Sequence, residues 1–487
     1  MNLPIVPLPR SKKRTKPVST RPPLGILPEF HFDYATSKGI SRERQDQWLI
    51  EGFENQEINV DLSNLASHAG RPLSAVETDW VNLAIAIYAA DRFASRRPGR
   101  SAGQTFWRRS INLCVSVVDP VLWEDAKPLI LSALSFLTDD KWTLRFSERS
   151  LRLGEEQQHH LFPNSQERPP WVCLFSGGLD SLAGFKRLST LSNSNGVLVS
   201  GCTHERLRLG QSSIIDQIRS NQDMAFDWLP IYYGFPKIKN NGGMESSQRS
   251  RGWVHVALGL AAALAANQDT LDVCENGIGA FNLPTELSQT GSHTSRAMHP
   301  VFLRRIALAA SKVFERNLKV RQTAVFETKG ELLTDTLEPS ESDLAAKTFS
   351  CEIFPNYHAK ESQCGICPSC LVRRASLHAA GIKDPGHLYA MDVLTQDIPA
   401  RKALGLIKME RYARRIDHCF GPSASLDSSM WEYPEAGSYF DEAAKSLNLS
   451  LDEFLSELRK THYSFFLEWR SFAASLPALR RVTQVAA

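Results

Sequence analysis

Residues 171–188 read WVCLFSGGLDSLAGFKRL, and this stretch decides the fold. Five apolar residues, typical of a buried strand, run directly into Ser-Gly-Gly at 176–178, and Asp180 and Ser181 then open a helix. The first backbone N–H groups of a helix, together with its dipole, favour an anion at such a junction. Glycines let the backbone approach a ligand closely, and serine hydroxyls can donate to its oxygens. The turn is therefore predicted to wrap a phosphate, and the alternative is an ordinary glycine turn before a capped helix.

Asp180 has two interpretations at this position. It can cap the helix, or it can hold a magnesium ion against the phosphates. The spacing differs from the GxxxxGK[ST] of ordinary nucleotide-binding loops, so that class is not indicated.

The wider chain alternates strand-like and helix-like segments from about residue 166 to 390. WVCLF at 171, GVLVSG at 196 and TLDVCENG at 270 are short apolar segments separated by helical stretches. This order predicts an α/β domain with a parallel sheet and right-handed crossovers. Three flanking regions differ from it in composition and pattern. They are a basic disordered tail (1–26), a separate α+β domain (27–165) and a mostly helical region (391–487).

Composition narrows the class of protein. The 487 residues carry 56 Lys and Arg against 53 Asp and Glu, a formal charge of +3, which does not indicate a nucleic-acid-binding protein. Nucleic acid or an acidic protein could contact the basic tail, but a solvated tail is the favoured interpretation. No apolar run approaches the length of a membrane span, and prolines near the N-terminus argue against an export signal. Five scattered cysteines and four clustered ones indicate a cytoplasmic protein with one metal site.

The clustered cysteines lie in SCEIFPNYHAKESQCGICPSCLVRRASL, residues 350–377. Cys364, Cys367 and Cys370 form C-x2-C-x2-C, and Cys351 lies a short stretch upstream. Such spacings suit tetrahedral zinc, and four thiolates would close its shell and make the site structural. An iron–sulfur cluster is the competing interpretation.

SGGLDS at 176–181 resembles the SGGxDS motif of the PP-loop ATP pyrophosphatases, which have an adenine nucleotide alpha hydrolase-like fold. Together with CGICPSCLVRRA at 364–375, it resembles the 7-cyano-7-deazaguanine synthase family, QueC, over about residues 170–385. The resemblance implies that ATP activates the carboxylate of 7-carboxy-7-deazaguanine, and that ammonia then gives an amide and, after a second activation, a nitrile. It implies ATP contacts from Ser176, Gly177, Gly178, Leu179, Asp180 and Ser181. It implies zinc ligands at Cys351, Cys364, Cys367 and Cys370.

Two segments depart from the family pattern. GCTHERLRLGQ at 201–211 stands where the family has a YGQRH-like segment, and ENGIGAFNLPTELSQTGSHTSRAMHP at 275–300 replaces an acidic, tyrosine-containing one. These stretches look more like the QueC-like proteins of bacterial anti-phage operons, including the Qat type. For that branch the acceptor need not be ammonia, because the amine of a partner protein encoded in the same operon could receive the deazapurine as an amide.

Further candidates follow from the chemistry of adenylation. Both the α-phosphate and the substrate carboxylate are anionic, so cations are expected against these two groups. The catalytic candidates are Asp180, Arg249, Arg251 and Lys329, and Lys329 matches a TKxE-like element of the family. A surface salt bridge is the alternative for each arginine.

Substrate contacts are expected from Glu275, Asn276 and Arg296. The first two follow a strand at the end where open α/β sheets bind ligands, and a capped turn is the alternative for them. His293 and His299 could assist proton transfer, but neither is assigned a role.

Three functions compete on these grounds. The first is an ATP-dependent ligase that acts on a 7-deazaguanine carboxylate. The second is a PP-loop tRNA sulfurtransferase that would use Cys202 or Cys274. The third is a non-catalytic ATP-binding assembly component. The flanking regions are expected to hold the acceptor protein.

Overall fold

The computed structural model describes fourteen segments of the chain. They are residues 29–35, 46–51, 56–94, 108–151, 155, 169–191, 195–221, 226–235, 245, 247–285, 295–354, 363–396, 398–424 and 437–477. The basic tail predicted at 1–26 lies outside them.

Ten strands form one sheet. They are β1 (Glu29–Ala35), β2 (Asp46–Glu51), β3 (Gln56–Val60), β4 (Ser110–Val117), β5 (Lys141–Glu148), β6 (Val172–Leu174), β7 (Gly196–Cys202), β8 (Phe226–Gly234), β9 (Thr270–Val273) and β10 (Lys319–Gln322). Fourteen described α-helices accompany them. They are α1 (Ser63–Ala69), α2 (Ala75–Phe93), α3 (Pro120–Thr138), α4 (Leu179–Leu191), α5 (Glu205–Asn221), α6 (Arg251–Ala265), α7 (Gly277–Phe281), α8 (Pro300–Phe314), α9 (Lys329–Thr336), α10 (Ser342–Lys347), α11 (Pro368–Ala379), α12 (Leu404–Phe420), α13 (Phe440–Ser446) and α14 (Leu451–Ala474).

The five strands β6–β10 are parallel, and their order across the sheet is β10-β9-β6-β7-β8. When β6–β10 are renumbered 1–5 along the chain, their order across the sheet is 5-4-1-2-3, or 3-2-1-4-5 from the other edge. This is the strand order of a doubly wound sheet. Such sheets bind ligands at the switch point, which here lies between β6 and β9. Helices connect successive strands, and β7 has the continuous buried run Val197–Val199 of a strand covered on both faces. The prediction of a mixed α/β fold with a mostly parallel sheet is confirmed.

The N-terminal strands extend this same sheet. β3 pairs antiparallel with β8, with Val60 opposite Tyr233, and β2, β1, β4 and β5 continue outward. On one face α2 packs on α6, and the indole N–H of Trp80 donates to the carbonyl oxygen of Ala257 at 3.1 Å. The region predicted as a separate domain at 27–165 therefore shares its sheet and core with 166–390. Alternating apolar residues indicate a strand but carry no information about which sheet edge it joins.

The described part of 391–487 is helical, as predicted. α14 begins with a capping box between Ser450 and Glu453 and packs against α11 and α12. Its buried face repeats at helical spacing through Phe454, Leu458, Phe465, Trp469 and Phe472. Among the helices in the described segments, none is long and apolar enough to span a membrane.

Candidate functional site

The 176–181 loop joins the C-terminal end of β6 to α4. Gly177 has a φ of 87°, and a Cβ at this position would lie 2.4 Å from Cζ of Phe349. The Ser181 hydroxyl accepts from the Gly177 N–H at 3.2 Å and donates to the Gly178 carbonyl oxygen at 2.9 Å. These contacts hold the loop in a conformation that only glycine adopts without strain at 177.

The start of α4 offers backbone donors to an anion. Leu182 N donates to the Gly178 carbonyl oxygen at 3.1 Å, the first helical hydrogen bond there. The N–H groups that precede it in a helix have no intrahelical acceptor, and the helix dipole adds positive potential beside them. A phosphate is the ligand that this end of the helix favours.

Four polar side chains, here called the Asp180 cluster, meet beside the loop: Asp180, Glu275, Asn276 and Lys329. Lys329 Nζ lies 2.7 Å from Asp180 Oδ2, and Asn276 Nδ2 donates to Asp180 Oδ1 at 2.9 Å. The same Asn276 nitrogen lies 3.2 Å from Glu275 Oε1. The structure thus brings together one predicted catalytic cation, two predicted substrate residues and the aspartate of the loop.

The topology explains this meeting. β6 and β9 are neighbours, so the loop after β6 and residues 275 and 276 after β9 share one edge of the sheet. Asn276 caps α7 by accepting from Gly279 N at 3.2 Å, which orients its amide toward Asp180. Lys329 is the first residue of α9, which follows β10 on the far side of β9.

Burial sets the protonation of the cluster. Desolvation, and then the Asp180 carboxylate, raise the pKa of Glu275 to about 8, although Lys329 opposes the shift. Burial alone would lower the pKa of Lys329, but the carboxylates of Asp180 and Glu275 outweigh it and the pKa is raised. At neutral pH the cluster therefore has a charged lysine and a protonated Glu275, which can donate a hydrogen bond to a ligand oxygen.

Two adjoining cavities open at this edge of the sheet. The larger, about 1050 Å³, is lined by Ser176, Gly178, Arg251 and the Asp180 cluster. The smaller, about 270 Å³, is lined among others by Val199, Gly201, Leu207, His255 and Met298. Ser176, Arg251 and Glu275 border both cavities. The larger volume is at the upper end of the range for ligand pockets, so it has room for a nucleotide and a second substrate.

Arg251 is the one predicted arginine that lines the cavities. It is exposed at the start of α6, and among the described residues no carboxylate forms an ion pair with it. Its charge is therefore available to an anionic ligand.

The four predicted cysteine ligands converge. Their Sγ atoms all lie within 4.8 Å of one another, and those of Cys364 and Cys370 are 3.9 Å apart. Four thiolates at a Zn–S distance of about 2.3 Å in a tetrahedron have sulfurs about 3.8 Å apart, so the cluster fits zinc. Gly365, at a φ of 82°, makes the turn between Cys364 and Cys367. Cys367 then caps α11 by accepting from Cys370 N.

The cysteine cluster borders the ligand cavities. Cys364 and Cys367 line the larger cavity and Cys351 lines the smaller one. Phe349, two residues before Cys351, donates its backbone N–H to the Gly177 carbonyl oxygen at 3.1 Å and packs on Gly177 with its ring. A metal held by these cysteines would therefore also stabilise the 176–181 loop.

Other predicted residues lie elsewhere. Arg249 is buried and lines neither cavity. Arg296 donates to the Phe136 carbonyl oxygen at 3.0 Å, and its guanidinium lies over the rings of Phe136 and Tyr439. These contacts join the segment before α8 to α3 and the C-terminal region, so the structure gives Arg296 a packing role instead of a place in the cavities.

Of the two histidines considered for proton transfer, His299 lines neither cavity. His299 caps α8, and burial lowers its pKa to about 3. His293 lies outside the described residues.

Sequence reasoning missed several residues of the site. Gln211 Nε2 donates to the Ser176 carbonyl oxygen at 3.1 Å, and the Phe349 ring covers Gly177. From the C-terminal region, Arg401 and Lys402 line the larger cavity. Gln211 belongs to the helical segment after β7, but no local pattern marks a loop contact.

Two cysteines considered for sulfur transfer are buried. Burial raises the pKa of Cys202 to about 12, and its Sγ lies 3.0 Å from Gln211 Oε1. Cys274 is 7% exposed and lies 2.8 Å from Thr323 Oγ1. Neither is the exposed thiol that persulfide chemistry requires.

A scan against protein-family models finds no match for this chain, and a search of curated proteins finds none either. The family likeness therefore depends on the two motifs and on the residues around them.

Proposed function

We propose that the chain is an ATP-dependent ligase that adenylates a 7-deazaguanine carboxylate and transfers the acyl group to an amine. The observation that carries the proposal is the meeting of the 176–181 loop with Lys329 and Asp180 at the switch point of a doubly wound sheet. An anion site, a paired cation and a cavity for two substrates are the parts that adenylation needs.

The residues divide the work in this proposal. The 176–181 loop and the start of α4 bind the β- and γ-phosphates, because the first N–H groups of a helix have no intrahelical acceptor and the helix dipole favours an anion beside them. Lys329 and Arg251 offset the charge that develops on the α-phosphate as a carboxylate approaches it. Protonated Glu275 donates a hydrogen bond, and Asn276 holds both carboxyl groups of the cluster in place.

The reaction balances in two steps. A carboxylate oxygen of the substrate attacks the α-phosphorus of ATP, the bond to pyrophosphate breaks, and an acyl-adenylate forms. The amine then attacks the acyl carbon, loses a proton, and displaces AMP to give the amide. The amine is ammonia or a group on a partner protein. With ammonia, the amide oxygen attacks the α-phosphorus of a second ATP and displaces pyrophosphate, and the C–O bond then breaks to release AMP as the nitrogen loses its two protons, which gives the nitrile.

Two metals accompany this proposal. Asp180 presents carboxylate oxygens of the kind that Mg²⁺ prefers, so it is the residue that would hold a nucleotide-bound Mg²⁺, which would offset phosphate charge. Zinc on Cys351, Cys364, Cys367 and Cys370 would have a closed shell and a structural role.

The resemblance of residues 201–211 and 275–300 to QueC-like proteins of anti-phage operons extends the proposal to defence. In that setting the acceptor amine belongs to a protein encoded in the same operon. A sulfurtransferase is not favoured, because Cys202 and Cys274 are buried.

The test is ATP–pyrophosphate exchange with and without 7-carboxy-7-deazaguanine. We expect exchange only with the carboxylate, and a loss of about 10²–10³-fold in Lys329→Ala, since one group that stabilises transition-state charge contributes that much. Asp180→Ala should show no exchange. The matched control is Lys312→Ala, at an exposed lysine of α8, which should exchange at the wild-type rate.

Other outcomes would contradict the proposal. Exchange that appears only with tRNA would favour the sulfurtransferase. ATP binding in calorimetry without exchange under any condition, acceptor included, would favour the assembly component.

A further inference from the structure

The C-terminal helix α14 contacts both loops that complete the Asp180 cluster. Thr461 Oγ1 donates to the carbonyl oxygen of Phe326 at 2.8 Å. The methyl group of Thr461 lies 2.8 Å from the position of a Cβ on Gly277, the residue after Asn276. One turn of α14 therefore lies against the loop after β9 and the loop after β10.

Glu468 lies seven residues, or about two turns, further along α14 on the same face. Its Oε1 accepts from the Thr328 hydroxyl. The carboxylate also covers Gly330, where a Cβ would lie 2.5 Å from Oε1. Thr328 and Gly330 are the neighbours of Lys329, so Glu468 holds the chain on both sides of that lysine.

The burial of Glu468 carries a cost in stability. Its Oε2 is buried and has no hydrogen-bond partner among the described residues. A buried group without a partner costs about 1–3 kcal/mol, and such a group in a native structure calls for an explanation. Burial also raises the pKa of Glu468 to about 7.

The helix that carries Lys329 needs an external support. α9 has 8 residues, and helices of that length have little stability of their own. Thr328 caps it and accepts from Glu331 N at 3.0 Å, and Glu468 binds the same hydroxyl from the other side. The direction of the first turn of α9 thus depends on α14.

We propose that Glu468 is a positioning residue that fixes the first turn of α9 and so keeps the Lys329 ammonium against Asp180. The positioning stands by itself, and only its effect on catalysis rests on the proposed function. Through Glu468, the helical C-terminal region then helps to position the Asp180 cluster.

The first test measures Lys329 directly, without any activity. Competitive amine labelling followed by mass spectrometry gives the reactivity of Lys329 in the intact chain. Glu468→Met keeps the volume and removes the acceptor, so Lys329 should separate from Asp180 and its pKa should fall. Reactivity rises about tenfold for each unit of that fall.

Controls separate positioning from unfolding. Glu468→Gln keeps an acceptor for the Thr328 hydroxyl and should restore most of the protection. Glu457→Gln, at an α14 side chain that is 43% exposed, should leave the labelling at the wild-type rate. Urea midpoints confirm that each variant is folded. Wild-type labelling of Lys329 in folded Glu468→Met overturns the proposal.

The second test uses ATP–pyrophosphate exchange. Glu468→Met should lower kcat by about tenfold or more, because displacement of a catalytic group by about 1 Å has effects of that order. The KM for ATP should change little. In a Lys329→Ala background the Glu468 change should cost nothing further, since the two residues act as one unit.

The labelling test and the exchange test can be refuted independently of each other. Loss of kcat that adds fully to that of Lys329→Ala would overturn positioning through Lys329. If no variant and no wild-type protein exchanges, the proposed function fails, and the labelling result still decides the role of Glu468.

Discussion

Gly177 and Gly178 are adjacent in the 176–181 loop, but a methyl group would meet different surroundings at each. At Gly177 the φ of 87° is strained for any other residue, and the new Cβ would lie 2.4 and 2.7 Å from two ring atoms of Phe349. At Gly178 the nearest atoms are the Ser176 hydroxyl oxygen at 3.4 Å and the Phe349 carbonyl oxygen at 3.5 Å. We therefore expect Gly177→Ala and Gly178→Ala to separate stability from ligand binding.

The magnitude for Gly177→Ala has two parts. A left-handed conformation costs a non-glycine residue about 1–2 kcal/mol. Overpacking against the half-buried Phe349 ring adds about 1–3 kcal/mol. The free energy of unfolding should thus fall by about 2–5 kcal/mol. With an m-value of about 3 kcal/mol/M or more for a chain of this length, the urea midpoint should fall by at most about 1–2 M.

Gly178→Ala should change the free energy of unfolding by less than about 1 kcal/mol, because its Cβ meets only ordinary contacts. Gly178 lines the larger cavity, however, so the methyl group would stand where the phosphates must approach the backbone. We expect ATP affinity to fall by roughly tenfold or more, which corresponds to about 1.4 kcal/mol.

Urea denaturation and calorimetric titration with ATP measure the two effects. Equal urea midpoints for Gly177→Ala and wild type would refute the strain and crowding at Gly177. Wild-type ATP affinity in Gly178→Ala would refute the assignment of this loop to phosphate.

Two further predictions concern protonation and metal. The pKa of Glu275 is about 8 in the folded chain against an ordinary 4.5, so the folded state binds more protons between these values, and stability falls as pH rises. The difference in unfolding free energy, Glu275→Gln minus wild type, should therefore increase from pH 5 to 8 by at most about 1.4 kcal/mol per pH unit. A difference that stays constant with pH would contradict the raised pKa. Metal analysis should find one zinc per chain in the wild type and none in Cys370→Ser. ATP binding should be weaker in the variant, because the metal no longer fixes the segment that carries Phe349. Iron in the wild type would favour an iron–sulfur cluster instead.

The parts of the site that the sequence predicts are local in the chain. The 176–181 loop needs only a strand, two glycines and a helix start, and C-x2-C-x2-C brings three ligands together within seven residues. Asn276 and Lys329 are predicted separately, the first from its place after a strand and the second from a family motif. Their meeting at Asp180 depends on the order of β6, β9 and β10, which no local pattern encodes.

Other features depend on contacts between distant segments. The pairing of β3 with β8 joins the N-terminal region to the central sheet, and a strand pattern does not choose its edge. Arg296 has the charge expected of a substrate contact, but the rings of Phe136 and Tyr439 lie beneath it. Charge alone does not separate it from Arg251, because only the tertiary structure determines which arginine faces a cavity.

Two segments outside the parallel sheet support the Asp180 cluster, and an experiment on acceptor binding must leave both intact. The segment at Phe349 holds the 176–181 loop, and Glu468 of α14 holds Lys329, so two elements outside the parallel sheet maintain the Asp180 cluster. Deletion of residues 391–487 would remove α14 and with it the expected first half-reaction, whatever binds the acceptor. Arg401 and Lys402 line the larger cavity from the same region but belong to neither support. Their replacement by alanine, with exchange and amide formation measured in parallel, is therefore the experiment that separates acceptor binding from adenylation.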